Sequence, residues 1–363
     1  MSLVNPNSIE NIALINFGGI GDEILFSPVL KELKDHLPHV KLTLILERRS
    51  QSVLSLLPGV DQVIPLDIQG TPKPITFLTL LKALKSQPFD AVISAGSSPF
   101  IPLLLRCSGI PIRVGFQTGA ISRRCLTWEA PLNKKQYAGE MYFALAKTFL
   151  SHLWGQGYQP PSMVLPALTP PPEAERRWAV ELIPAYSGVG KNLLIHPGVS
   201  QVSLQKGILK TWSPESWAVL IQQLVTQQHQ VYLVGGPDDA AIIEAILQQL
   251  PAELTGFTNL YGRTKNLTDL SALIAQADML ISVDSSPLHI AVGLNKPVVA
   301  LFGPTDEKKL LPNQPHFQAV TKADLACRPC LWDVRQRNCE TSDCLKIEIT
   351  AMQQAIHKVI STL

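Results

Sequence analysis

Six consecutive residues, Asp284, Ser285, Ser286, Pro287, Leu288 and His289, gather a carboxylate, two hydroxyls and an imidazole. An apolar run, 279–283, precedes them. A second, 297–302, follows and ends in Gly303-Pro304-Thr305-Asp306. The pattern reads as strand, tight polar turn, short helix, strand and Gly-Pro loop. Ser285 or Ser286 can cap the helix, and Pro287 suits its first position. The N–H groups at such a helix start form an anion site. The arrangement suits a phosphorylated, hydroxyl-rich ligand such as a nucleotide sugar. A lone helical histidine is more often structural than catalytic; His289 shares this helix start with Asp284, which keeps a binding role open.

Three further segments carry candidates. Lys210, before Thr211-Trp212-Ser213-Pro214-Glu215, can reach a phosphate, though a lysine before a helix is usually solvated. Gly235-Gly236-Pro237-Asp238 ends a strand and opens a helix; the glycines permit close ligand approach, and Asp238 can accept hydrogen bonds from ribose hydroxyls. A plain turn and cap explains the same residues. The first turn, Phe17-Gly18-Gly19-Ile20-Gly21-Asp22-Glu23, resembles a dinucleotide fingerprint with Glu47 as ribose partner. The spacing fails: Gly19 and Gly21 fit, but Ile24 replaces the third glycine, and Asp22 and Glu23 would repel a pyrophosphate. Asp22 reads either as a helix cap or as a functional carboxylate, with Glu23 the nearest substitute base.

The elements that position these residues alternate along the chain. Strands are expected at 11–16, 40–46, 63–66, 91–94, 113–116, 192–196, 230–234, 279–283 and 298–302. Helical patterns fall at 22–36, 77–86, 140–153, 212–228, 238–250, 266–277 and 347–360. Such alternation predicts parallel sheets covered on both faces, with ligands beyond the C-terminal strand ends. The proline-rich stretch 159–172 reads as a stiff linker. The expected organisation is an N-terminal Rossmann-like domain (1–165), a linker (166–190), a nucleotide-sugar-binding Rossmann-like domain (191–345) and a C-terminal helix (346–363) free to pack back on the first domain. Two doubly wound α/β domains would then face a central cleft.

At 363 residues, two domains are the better prior. The balance of 31 basic to 29 acidic residues, without long runs of one sign, argues against nucleic acid as a partner. Without a signal pattern or a long apolar stretch, a cytoplasmic protein is expected, with peripheral contact at the inner membrane left open. Cys327, Cys330, Cys339 and Cys344 are spaced x2, x8 and x4. Zinc ribbons usually have a longer spacer, so thiols or a labile disulfide compete with a zinc site. Arg113, Arg123 and Arg124 can meet an anionic saccharide.

Taken in order, Ile20-Gly21-Asp22 with Ser27-Pro28-Val29-Leu30, Arg113-Val114-Gly115-Phe116, His196-Pro197-Gly198, Lys210-Thr211-Trp212, Gly235-Gly236-Pro237-Asp238, Asp284–His289, Gly303-Pro304-Thr305-Asp306 and Cys327-Arg328-Pro329-Cys330 resemble glycosyltransferase family 9, the ADP-heptose:lipopolysaccharide heptosyltransferases. The resemblance implies the GT-B fold and metal-independent, inverting transfer of heptose from ADP-heptose to a glycan or glycolipid acceptor, without a cofactor. It implies Asp22 as general base, Lys210 on the donor phosphates, Asp238 on the ribose, and Asp284, Ser285, Ser286 and His289 around the diphosphate and sugar. Gly19, Gly21, Gly235, Gly236 and Gly303 become loop contacts. The family usually has glycine where Ser286 stands, which bears on donor position. A nucleotide-sugar epimerase or hydrolase, or a non-catalytic nucleotide-sugar-binding homologue, is the alternative.

Overall fold

The computed structural model describes residues 5–68, 74–322, 324–331, 339 and 341–363. The chain divides into one compact unit ending at Thr169 and a second beginning at Pro170. In the first, β1 (Asn11–Ile15), β2 (Lys41–Glu47), β3 (Gln62–Leu66), β4 (Ala91–Ser94), β5 (Ile112–Phe116) and β6 (Trp128–Ala130) form a sheet ordered β3-β2-β1-β4-β5-β6. In the second, β7 (Asn192–His196), β8 (Gln230–Leu233), β9 (Phe257–Asn259), β10 (Met279–Val283), β11 (Val298–Phe302) and β12 (Phe317–Thr321) are ordered β12-β11-β10-β7-β8-β9. Every pairing is parallel.

Both orders are those of a doubly wound fold. The chain reverses direction across the sheet between β1 and β4, and again between β7 and β10. Ligands bind beyond the C-terminal strand ends at such a reversal. The central strands β7, β10 and β11 are buried along their whole length. Continuous apolar runs of this kind are what a sheet covered by helices on both faces requires.

The first helix, Ile20–His36, contains Pro28 in its interior. Proline has no N–H to give the carbonyl four residues back. The Ser27 hydroxyl donates to that carbonyl, on Ile24, at 2.6 Å, and accepts from the Ala167 N–H at 2.8 Å. The Ser-Pro pair thus keeps the helix satisfied and ties down the end of the first unit.

Two boundaries differ from the sequence reading. The expected linker at 166–190 contains a helix, Glu173–Leu182, which packs against the helix Leu267–Gln276. Pro172 sits at its cap, and Glu173 pairs with both Arg176 and Arg177 one turn on. The C-terminal helix, Ile349–Ile360, packs on β11, β12 and the helix Pro214–Thr226. Its buried Met352, Ile356 and Val359 belong to the core of the second unit rather than to the first.

Candidate active site

In the second unit the switch point carries a buried ion pair. Ser282 of β10 lies beside His196 of β7, so the two strands end together. Asp284 follows β10 immediately and is buried. Its Oδ2 accepts from Lys210 Nζ at 2.8 Å. A second, longer approach brings Lys210 Nζ to the Asp284 carbonyl at 3.4 Å. Burial alone would raise the Asp284 carboxyl; Lys210, His289 and the Thr305 hydroxyl together hold it below the usual carboxylate range. Lys210 is positioned in turn by Thr211, whose hydroxyl donates to the Pro197 carbonyl at 2.5 Å, and by the Trp212 indole, which donates to Ile347 O at 3.1 Å.

Ser285 occupies the cap position of the helix Ser286–Gly293 in extended conformation, but its side chain makes no capping bond. Ser286 takes the first helical position, and Pro287 the second rather than the expected first. The helix therefore starts without a side-chain acceptor on its N–H groups. His289 is buried one turn in.

The loop after β8 places two adjacent carboxylates differently. Asp238 is exposed, and its Oδ2 accepts from the Gln201 N–H at 2.9 Å. It thereby anchors the short helix Gln201–Gln205. Its neighbour Asp239 is the buried carboxylate. Asp239 Oδ2 accepts from the Gly236 N–H at 2.8 Å and lies 3.3 Å from His196 Nε2, at the end of β7. A Cβ on Gly198 would stand 1.8 Å from Asp239 Oδ1, so glycine is required there. His196 Nδ1 is buried without a hydrogen-bond partner. Neither His196 nor Asp239 was singled out as a site residue from sequence; the adjacent Asp238-Asp239 pair was the available signal.

The glycines divide by role. A Cβ on Gly235 would lie 2.5 Å from Ile243 Cδ1, and one on Gly303 2.5 Å from Leu345 Cδ2, so both are needed for packing. A Cβ on Gly236 would meet open space. The segment that packs on Gly303 carries the late cysteines. Cys330 N–H donates to Pro304 O at 2.9 Å, and Arg328 reaches Thr305 O at 3.0 Å and Glu307 at 2.9 Å. Cys344 is buried, and that burial, followed by the nearness of Cys330, raises its thiol. No disulfide joins the cysteines. Among the described residues, no group of three or more His, Cys, Asp or Glu side chains is arranged to hold a metal ion.

In the first unit, Asp22 is the third residue of the helix Ile20–His36, not its cap. Its Oδ2 accepts from the Gly19 N–H at 2.8 Å, which satisfies one orphan donor of the helix start. A Cβ on Gly18 would fall 2.3 Å from Asp22 Cβ, so Gly18 admits Asp22 in this pose. Gly21 is the second helical residue, between Gly19 at the cap and Asp22.

Glu23, beside it, is fully buried, and neither of its oxygens has a hydrogen-bond partner. Burial, then the charge of Asp22, pushes its carboxyl well above the ordinary value, against the opposing influence of Asn16. Glu47, also buried, adds to the same effect and is itself paired with Arg49. Glu23 is thus an enclosed carboxyl whose surroundings favour its protonated form.

Two stability effects are expected. Lys210→Ala leaves Asp284 buried without its counter-charge and should lower unfolding free energy by about 3 kcal/mol. Removing both partners, in Lys210→Ala with Asp284→Ala, should recover much of the loss; denaturant melts of the three proteins check this. For Glu23, the folded state holds its proton to a higher pH than the unfolded chain. The associated stability is complete below its ordinary value of 4.5 and is lost as pH rises towards the folded value. Glu23→Gln removes that loss, so its melting temperature should gain on the parent's steadily as pH rises above the ordinary value of 4.5. A constant difference across the range would show that Glu23 ionises normally.

The model of glycosyltransferase family 9 (heptosyltransferase) matches residues 77–339. Lipooligosaccharide heptosyltransferase 2 of Haemophilus influenzae is 30% identical over 301 residues, covering 81% of this chain and 84% of the relative. Lipopolysaccharide heptosyltransferase 3 of Escherichia coli is 26% identical over 296 residues, covering 79% and 81%. The structure of the E. coli ADP-heptose lipopolysaccharide heptosyltransferase II aligns with a TM-score of 0.70 at 23% identity, across 97% of this chain and 99% of that one. The two doubly wound sheets are those of the GT-B fold class. The switch-point residues therefore belong to an enzyme of sugar transfer: the chain is a member of glycosyltransferase family 9.

Proposed function

We propose that the protein transfers heptose, or a closely related sugar, from an ADP-sugar to a lipopolysaccharide or related envelope glycan, by single displacement with inversion and without a metal ion. The observation that carries this reading is the Lys210–Asp284 pair at the start of the helix Ser286–Gly293, at the chain-reversal point of the second sheet. Lys210 has three N–H groups, and two face Asp284. The third is available to a phosphate oxygen. Because the pair is close to neutral, charge on a departing diphosphate is met by directed N–H groups rather than by net positive charge. The uncapped N–H groups at Ser286 supply the rest. Ser285 and His289 flank the same helix start, and Asp239 with His196 is better placed than Asp238 to face the ribose side, being buried at the adjoining strand end.

Asp22 is the base in this scheme. It takes the proton of the acceptor hydroxyl as that oxygen bonds to the anomeric carbon, while the bond from that carbon to the diphosphate oxygen breaks and ADP leaves. Asp22 also accepts from the Gly19 N–H at the start of its own helix, and that second duty fixes the carboxylate in one orientation before substrate arrives. The acceptor class rests on the heptosyltransferase relatives, and the cytoplasmic face of the inner membrane is where such an acceptor would be met.

Asp22→Asn retains an oxygen that can accept from Gly19 and removes the base. Melting temperature and ADP affinity should stay near those of the parent, and transfer should fall by about 10²-fold or more. Transfer by the parent should persist in excess chelator. Asp22→Asn turning over at the parental rate would make Asp22 a helix cap alone.

Titration calorimetry of the parent should show ADP binding and no comparable heat with UDP. His196→Ala and Asp239→Asn should weaken ADP binding more than Asp238→Asn does. Equal affinity for ADP and UDP would refute the adenine assignment.

A further inference from the structure

We propose that the first unit carries a membrane-docking face, built from the leading turns of three helices and directed at an anionic bilayer surface. It deepens the transferase reading, on which it rests for its purpose, since a lipid-linked acceptor lies in such a surface.

The helices are Pro74–Leu84, Phe100–Ser108 and Ala120–Cys125. The second touches both of the others. Their inner sides are committed to the core: Leu80, Ala83, Leu84, Leu104 and Leu105 pack beneath the sheet. Their outer sides are also apolar. Ile75 is 65% exposed, Leu78 59%, Phe100 68%, Leu103 44% and Ile121 46%. Helices of a soluble unit normally turn polar side chains outward. A run of large exposed apolar groups across adjoining helices marks an interaction surface.

Position adds a second argument. Each is the next helix in the chain after a parallel strand: β3 ends at Leu66, β4 at Ser94 and β5 at Phe116. The helix starts therefore lie at the C-terminal edge of the sheet, the edge at which β1 leads to Asp22. All five exposed residues fall within the first five positions of their helices. Helical side chains lean towards the helix N-terminus, which aims these groups at that edge.

Charge selects the occupant. Residues 74–125 hold six basic side chains and one acidic one, whereas the whole chain balances 31 against 29. The single acid, Asp90, is occupied with the backbone N–H groups of Glu10 and Asn11 at 2.8 and 2.9 Å. Arg113 is occupied with carbonyls of Cys125, Ile110 and Pro111. Lys82, Arg106, Arg123 and Arg124 remain exposed in the last turns of the same three helices, with Lys82, Arg106 and Arg124 one turn on from Leu78, Leu103 and Ile121. A second copy of the chain would bring like charges face to face. An anionic bilayer instead offers acyl chains to Phe100, Leu103 and Ile75 and headgroup charge to the basic residues. Among the described residues no helix is long and apolar enough to cross a membrane, so attachment of this kind would be peripheral.

The test is co-sedimentation of the full chain with vesicles of phosphatidylcholine alone, or with about one-third phosphatidylglycerol, without donor or acceptor. Binding should require phosphatidylglycerol and weaken as salt rises. Ile75→Ser with Phe100→Ser and Leu103→Ser should reduce it about tenfold or more, and Arg106→Glu about fivefold. Both variants should melt like the parent and keep parental transfer to a delipidated, water-soluble acceptor. Equal binding to both vesicle types, or binding unaffected by the triple variant, overturns the proposal. So does a lipid-free dimer, seen by sedimentation equilibrium, that the triple variant dissolves. Because the vesicles contain no substrate, failure of the transferase reading would leave the vesicle result standing.

Discussion

A parallel sheet with helices on both faces leaves little room for chemistry except at its strand ends. The constraint is severe in the second unit, where β7, β10 and β11 are buried throughout. At the switch point the loops after β7 and β10 diverge to opposite faces, and that divergence opens a gap between helices along this edge. His196, Asp239, Asp284 and Lys210 all gather around it, although they come from four separate stretches of chain. The first sheet repeats the device: Asp22 follows β1, the strand beside its own reversal point.

Crowding charge into such a place has a cost that the local sequence offsets. Burial would push the Asp284 carboxyl upward were Lys210, His289 and Thr305 not present. Buried pairs of this kind add little net stability over a hydrophobic filling, but breaking one strands a charge. Lys210 consequently has a structural part of its own, and its loss would disturb the fold before any ligand is considered. Asp239 shows the same economy: one carboxylate oxygen holds Gly236 while facing His196.

Much of this was legible from sequence because long apolar runs bounded by Gly, Pro and Ser admit one interpretation. The strands at 91–94, 192–196, 279–283 and 298–302 fall where the runs predict. β6, β9 and β12 were missed because they lie at or near a sheet edge, are three to five residues long and are incompletely buried, so no continuous apolar run announces them. The helix Glu173–Leu182 was hidden by the prolines before it, which read as linker although Pro172 serves as its cap. Asp238 and Asp239 could not be told apart because a short turn, Pro237–Asp239, decides which carboxylate faces inward, and composition does not encode that direction. The Lys210–Asp284 contact joins residues 74 positions apart, beyond any local pattern.

Glu23 was unreadable for a different reason: an acid at a helix start is normally solvated, where it complements the helix dipole. Here its place among buried neighbours costs it that solvation, and the adjacent Asp22 discourages a second negative charge. Asp22 stays half-exposed and is oriented by the Gly19 N–H, whereas Glu23 is enclosed. The pose of Asp22 depends on one local fact, that Gly18 lacks a side chain where Asp22 must turn back on the loop.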